Sequence, residues 1–334
     1  MAKNFTKIIL LTIICTISLC IQPVFAQSSI DEAEGQLQYI KYSDKKVRII
    51  HKYSKDQDMW LDFEEGGVNS IFGISNIYLL PNNENAINVS SSKIPKVLSS
   101  SCTDWISPYI VKDMTAPYKP PTFTGGWHGY NGDGSGNPTA KTIQYEVFAD
   151  DKALEINEEI YCKTAEIKVI NFIEGYNTKD LFENKKYVLK ETVHYIIENG
   201  RVNLEVEIEA LKDIAIERYY GIQTVNYGWR DIVRYTDGNV YQGNISSNSR
   251  TIKDLPNIGS IMLENIKDGH YLKAWINKEH DLGRQEYVSS NLPSVFTESY
   301  GKSYFNIING NTLMMKNGDK HYLRGGYLFE KIIR

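Results

Sequence analysis

Tyr187-Val-Leu-Lys-Glu-Thr-Val-His-Tyr-Ile-Ile-Glu-Asn-Gly-Arg-Val-Asn-Leu-Glu-Val-Glu-Ile-Glu-Ala-Leu211 consists of two alternating runs around a single Asn-Gly pair. Both central positions of a type I′ turn need positive φ, so Asn199-Gly200 between such runs signals a two-residue β-hairpin. With that loop, Glu198 faces Arg201 and the register follows. One face carries Ile197/Val202, Tyr195/Leu204 and Val193/Val206. The other carries Ile196/Asn203, His194/Glu205, Thr192/Glu207 and Lys190/Glu209. One apolar and one polar face describe an antiparallel sheet covered on one side.

The same pattern recurs along the chain. Thr142–Phe148 alternates, Glu166–Ile173 is β-rich, and Lys46–Tyr53 and Ile71–Leu80 read as strands. Asp237-Gly238, Asp268-Gly269, Asn309-Gly310 and Asn317-Gly318 read as turns between apolar runs. Only Asp31–Gln38 has even a short helical turn's pattern. Many strands joined by short turns predict an all-β protein, a large antiparallel β-sandwich with little helix. No fixed repeat or low-complexity tract interrupts residues 27–334, which read as one large domain with long loops at 81–101 and 117–138.

The first residues set the compartment. Lys3 and Lys7 precede the apolar run Ile8–Ile21, and Val24-Phe25-Ala26 places small residues before Gln27. Residues 1–26 therefore read as a cleaved secretory signal peptide. The product would be secreted and extracellular, or periplasmic in a cell with an outer membrane. Leu19 before Cys20 departs from a lipobox, and the chain has no later apolar span, so no stable membrane anchor is expected. Losing the leader, with two lysines and no acids, takes the formal charge from −4 to −6. A mildly acidic chain without a basic block is no nucleic-acid binder. Cys102 and Cys162 remain; export permits a disulfide between them, and two buried thiols are equally consistent.

Three stretches carry residues suited to chemistry. In Phe123-Thr-Gly-Gly-Trp-His-Gly-Tyr-Asn-Gly-Asp-Gly-Ser-Gly-Asn-Pro138, Trp127, His128 and Tyr130 stand on a glycine-rich loop that no apolar period would bury. Such rings suit a polysaccharide or oligosaccharide, whose C–H faces stack on aromatic surfaces. Asn131, Asp133, Ser135 and Asn137 alternate with other residues as in the first half of a calcium loop, making Asn131 and Asp133 candidate Ca²⁺ ligands. Thr142 stands where such a loop needs a bidentate glutamate, and turn chemistry explains the same pattern. No other cofactor is called for.

The second stretch is the polar hairpin face, where Lys190/Glu209 reads as a cross-strand ion pair. His194 opposite Glu205 would be an oriented acid or base if the face lines a cleft, while on an outer surface the ladder is only solvated. The third is Glu217-Arg-Tyr-Tyr-Gly-Ile-Gln-Thr-Val-Asn-Tyr-Gly-Trp-Arg230, followed by Arg234. Its Trp229 suits a sugar face, Gln223 and Asn226 suit hydroxyls, and Arg218, Arg230 and Arg234 suit a carboxylate. Aromatic-rich strands with ordinary packing account for it equally well. His321-Tyr-Leu-Arg-Gly-Gly-Tyr327 is similar, its glycines marking a bulge.

Several classes are excluded. The chain contains no P-loop, no Rossmann glycine fingerprint, no H-E-x-x-H and no G-x-S-x-G. Uronic-acid polymers are cleaved by β-elimination, which needs a base for the C5 proton, an acid for the leaving oxygen and a cation for the carboxylate. His128 or His194 suits the base, Tyr130 or Tyr219 the acid, and Arg218 or Arg230 the cation. A non-catalytic glycan-binding or adhesion protein would use the same rings. A β-sandwich glycoside hydrolase would need a carboxylate pair, which acids such as Glu205 and Glu207 permit without singling one out.

The hairpin with His194, Arg218–Thr224 and the Arg324-Gly-Gly-Tyr327 stretch resemble galactose-mutarotase-like β-supersandwich proteins and the polysaccharide lyases built on that architecture, over residues 120–334 at most. The resemblance implies a concave sheet on which a histidine, with tyrosine, arginine or a carboxylate, grips a sugar. The His128-Gly-Tyr130 loop matches no mutarotase signature, and the leader argues against intracellular aldose epimerisation.

Overall fold

The computed structural model describes residues 37–90, 92–100, 104–235, 240–242, 258–298 and 300–332. The signal segment, most of Asp31–Gln38, Cys102 and Asp237-Gly238 lie outside the described residues.

Two sheets dominate. The larger runs, in spatial order, Val240–Gln242, Ile232–Tyr235, Ser260–Asn265, His270–Ile276, Lys320–Lys331, Arg201–Ala210, Tyr187–Glu198, Ala165–Glu174, Ala140–Ala149 and Lys152–Ala153. The second runs Lys96–Ser99, Ile71–Pro81, Gln57–Gly66, Lys46–Ser54, Gln38–Ser43 and Glu159–Cys162. Every pairing within these two sheets is antiparallel. Their apolar faces meet in one core, in which Phe63 of the smaller sheet packs edge-on against Tyr195 of the larger at 5.1 Å. The protein is an all-β sandwich, and among the described residues helix is confined to single turns at Glu183–Lys186 and Asp281–Arg284.

The hairpin forms in the expected register, from Glu198↔Arg201 to Lys190↔Glu209. Asn199 and Gly200 take φ of 41° and 85°, as a type I′ turn demands. Val193, Tyr195, Ile197, Val202, Leu204 and Val206 are buried, and the alternate positions carry ion pairs such as Lys190–Glu209 at 3.3 Å.

Three expectations are corrected. Asn309-Gly310 is no hairpin turn: both residues lie inside the strand Ile308–Met315, where Gly310 takes φ 89° at a register shift against Val288. Gly325 and Gly326 mark no bulge. Pairing continues through both, and a Cβ there would strike the carbonyl oxygens of Trp275 and Val202 respectively, so close approach of neighbouring strands requires them. Within the expected loop 81–101, Lys96–Ser99 adds a strand to the smaller sheet.

Two smaller sheets accompany them. Tyr287–Val288, Ile308–Met315, Ile214–Tyr219 and Tyr109–Asp113 form one; Gln223–Val225, Lys302–Phe305 and Val295–Glu298 form the other. Tyr327 ties the second of these to the large sheet, its hydroxyl donating to the carbonyls of Gln223 (2.8 Å) and of Trp105 (2.6 Å), which lies outside the strands.

Candidate functional site

The loop 123–138 owes its shape to one buried amide. Asn69 Nδ2 donates to the carbonyls of Gly126 (2.8 Å) and His128 (3.0 Å), while its Oδ1 accepts from the backbone of Thr139 (2.7 Å) and Ala140 (3.1 Å). Thr139 Oγ1 also bonds the His128 carbonyl and accepts from the Gly125 N–H. These bonds satisfy backbone groups that an irregular loop would otherwise leave bare. They fix residues 126–128 at the mouth of a cavity.

That cavity has a volume of about 490 Å³. Phe123, Trp127 and His128 form one wall, and Tyr220, Gln223 and Tyr227 another. The hairpin built from Val295–Glu298 and Lys302–Phe305 supplies Phe296, Glu298, Tyr300, Lys302 and Tyr304. The rings touch in sequence. Phe123 lies 5.3 Å from the His128 ring and 6.1 Å from Tyr220, and Tyr220 lies 5.2 Å from Tyr304, which stacks on Phe296 at 4.8 Å. A site of this size lined by rings and a few convergent polar groups is a ligand pocket in form.

Asp104 is its electrostatic centre. The carboxylate is nearly buried; Oδ1 accepts from the Trp127 N–H, and Oδ2 lies 3.7 Å from His128 Nδ1 and 3.6 Å from Lys302 Nζ. Its carbonyl accepts from Gln223 Nε2 at 2.6 Å. Burial lowers the pKa of His128, opposed in part by Asp104. Burial likewise lowers that of Lys302, again opposed by Asp104. Both shifts favour the neutral forms.

Of the residues singled out in the sequence, Trp127, His128 and Gln223 line the cavity. Tyr130 does not: its hydroxyl bonds Glu174 (3.1 Å) and the Lys179 carbonyl (3.1 Å) and accepts from Lys186 (2.9 Å), so it anchors the loop from behind. Tyr219 is wholly buried, stacked on Tyr109 at 4.4 Å; its neighbour Tyr220 reaches the cavity instead. Arg218 stands beside the Tyr220 phenol, and its charge opposes the rise in pKa that burial imposes there. Arg230 lies over the Tyr227 ring at 4.9 Å, behind the cavity wall. Asn226 is buried and bonded to Thr224 (2.6 Å) and Ser303 (3.0 Å), supporting the strand pair beneath. Trp229 is a core residue packed on Phe329, and Arg234 is paired with Glu264.

His194 lies on the outer face of the large sheet. The alternation that buries Val193 and Tyr195 turns it away from the core side. Its Nε2 bonds Glu166 at 2.8 Å rather than the facing Glu205, which pairs with Arg324. His194 and His128 therefore do not share a site.

Asn131 and Asp133 are engaged within their own turn. Asp133 Oδ1 accepts from the Ser135 N–H (2.9 Å) and hydroxyl (2.5 Å), and Asn131 Nδ2 donates to Ser135 Oγ (2.9 Å). Among the described residues no group of three or more His, Cys, Asp or Glu side chains converges as a metal site. Hydrogen bonds within the turn account for the alternating oxygens. Cys162 is a buried free thiol whose pKa burial pushes up to about 12.

Asp104, Lys302, Tyr220, Tyr300, Tyr304 and Asn69 escape a reading of the sequence. The one signal for the hairpin wall is Val-Phe-Thr-Glu-Ser-Tyr-Gly-Lys-Ser-Tyr-Phe305, aromatic on both sides of a Gly turn.

No protein-family model matches the chain, and no curated protein matches it. Among solved structures, the Slr1438 protein from Synechocystis sp. PCC 6803 aligns with a TM-score of 0.40 and 8% identity over 88% of this chain and 96% of that one. A "putative mutarotase" from Salmonella typhimurium aligns with a TM-score of 0.34 and 9% identity over 88% and 94%. A heparinase III aligns with a TM-score of 0.30 and 9% identity over 87% of this chain and 35% of that one. The last two bear names of the kinds that the sequence resembles. With TM-scores this low, the likenesses carry no argument about site or activity.

Proposed function

We propose that the protein is an exported carbohydrate-active enzyme that cleaves an acidic polysaccharide by β-elimination in the aromatic cavity. The observation that carries this reading is the meeting of His128 and Lys302 at Asp104 within a lining that includes seven aromatic rings. Rings such as Trp127 and Tyr220 take the apolar faces of the sugar, and Gln223 and Glu298 take hydroxyls. Lys302 draws the uronate carboxylate and offsets the charge that develops beside C5. His128, held neutral by burial, takes the C5 proton. The C4–O bond breaks with its electron pair on oxygen, a C4–C5 double bond forms, and the Tyr220 phenol protonates the leaving oxygen. Burial raises the pKa of Tyr220 and keeps that proton in place at neutral pH, while Arg218 steadies the phenolate once the proton has gone. The leader segment fits a polymer met outside the cell.

A panel of uronate polysaccharides, followed by ultraviolet absorbance of the unsaturated product, tests this reading. Absorbance that grows with wild type and is lost in His128→Ala supports it. Binding without product would make the cavity a glycan-binding site only, and new reducing ends without absorbance would point to hydrolysis by a carboxylate pair.

A further inference from the structure

Resting on that reading, we propose that Asp104 is a positioning residue that couples arrival of the sugar's carboxylate at Lys302 to the basicity of His128. The geometry is a three-member array around one oxygen. Asp104 Oδ2 stands 3.7 Å from His128 Nδ1 and 3.6 Å from Lys302 Nζ, while Oδ1 is taken by the Trp127 N–H. One carboxylate thus faces two basic groups and carries one charge to share between them.

The arrangement fixes the tautomer. His128 Nδ1 is buried and has no hydrogen-bond partner closer than this carboxylate. A proton on Nδ1 facing a carboxylate is stabilised; a lone pair facing it is not. Nδ1 therefore carries the hydrogen, and Nε2 keeps the lone pair that a base requires. The 3.7 Å gap exceeds hydrogen-bond length, so the pair is poised rather than closed, as catalytic pairs often are without substrate.

Charge sharing then supplies the coupling. In the empty cavity Lys302 is the stronger base, and it draws on Asp104. A uronate carboxylate that reaches Lys302 gives the ammonium a second partner and lets Asp104 close its 3.7 Å gap to the imidazole. His128 becomes a better proton acceptor when the substrate is in place. The other charged groups facing His128 leave this balance intact. Asp133, from its own loop, acts in the same sense as Asp104 but more weakly, and Lys302 opposes both. Glu298 and the phenols of Tyr220 and Tyr300 line the same space.

The test is NMR titration of the His128 imidazole, identified among the six histidines by its absence from a His128→Gln spectrum. Saturating glucuronate should move the His128 midpoint up by about one pH unit; glucose should not. In Asp104→Asn the unliganded midpoint should fall, a direction that mere loosening of the loop would not give, and the glucuronate-induced rise should shrink by half or more. In Lys302→Gln the unliganded midpoint should rise. An equal glucuronate response in wild type and Asp104→Asn overturns the proposal, as does an unchanged midpoint in both unliganded variants. If glucuronate perturbs no resonance, the uronate reading of the cavity falls, while the unliganded midpoints still decide whether Asp104 governs His128. Should Asp104→Asn fail to fold, Lys302→Gln decides by two readings together: its unliganded midpoint should rise and should no longer respond to glucuronate.

Discussion

Gly134 packs its backbone against the indole of Trp127 so closely that a Cβ on Gly134 would stand 2.6 Å from the ring's Cη2. Gly67 meets the other end of the same ring, which is thus wedged between two glycines while 42% of the residue stays exposed. A large apolar surface held rigid and half bare is what sugar stacking needs, because little rotamer freedom remains to be lost on binding.

Gly134→Ala should therefore weaken saccharide binding by about tenfold, worth about 1.4 kcal/mol. Gly134 is not among the positive-φ glycines, so the added methyl collides with the ring and does not strain the backbone. Calorimetric binding together with thermal melting checks this. Affinity should fall while the melting temperature stays close to wild type.

Asn69→Ala removes both donors and the acceptor that hold residues 126–128 and 139–140. Four backbone groups lose that partner, the N–H groups of Thr139 and Ala140 in buried bonds. The cost should be about 2–4 kcal/mol, given the penalty for buried groups left unpaired, and activity should fall with it. Denaturant unfolding measures the first effect and product formation the second. A stability equal to wild type would show that the amide does not shape the loop.

The pH profile of kcat/KM should carry the two shifts. The base must be neutral, and burial depresses the pKa of His128, so the acid limb lies below the ordinary histidine value of about 6.5. Burial also depresses Lys302, so the alkaline limb lies below the ordinary lysine value of about 10.4. An acid limb above about 6.5 would remove His128 from the role of base.

The core carries its own acid sensitivity. His51 is fully buried with neither ring nitrogen bonded, and burial takes its pKa down to about 4. Between its unfolded pKa of about 6.5 and that value, the unfolded chain binds the extra proton. Stability contributed by neutral His51 is thus present above about pH 6.5 and is lost as pH falls towards 4. The loss should reach about 3 kcal/mol. His51→Leu should flatten this slope in urea unfolding between those values without costing stability at neutral pH.

Much of the fold was legible because it rests on local rules. The period of two and the positive φ required at Asn199 and Gly200 fix the register of the central hairpin residue by residue. The site was legible only in part. Trp127 and His128 announce themselves by sitting among glycines, but their partners come from distant segments that no period relates. Asp104 precedes Lys302 by nearly 200 positions, and the two meet because separate sheets converge on Trp105, Tyr327 and Gln223. Tyr219 and Tyr220 show a subtler limit. A register shift between Ile216 and Arg218 moves the inward positions from even to odd numbers, burying Tyr219 and turning Tyr220 to the cavity. His194 was read correctly in register, yet the polar face it shares with Glu205 belongs to the outside of the sandwich.

Calorimetric titration of a uronate disaccharide into wild type, Trp127→Ala and Lys302→Gln tests most directly whether the aromatic cavity is an acidic-sugar site. Binding by wild type that falls tenfold or more in each variant, with the neutral disaccharide bound equally poorly by wild type and Lys302→Gln, is the result the cavity predicts. Uronate affinity unchanged in both variants would place the sugar elsewhere and contradict it.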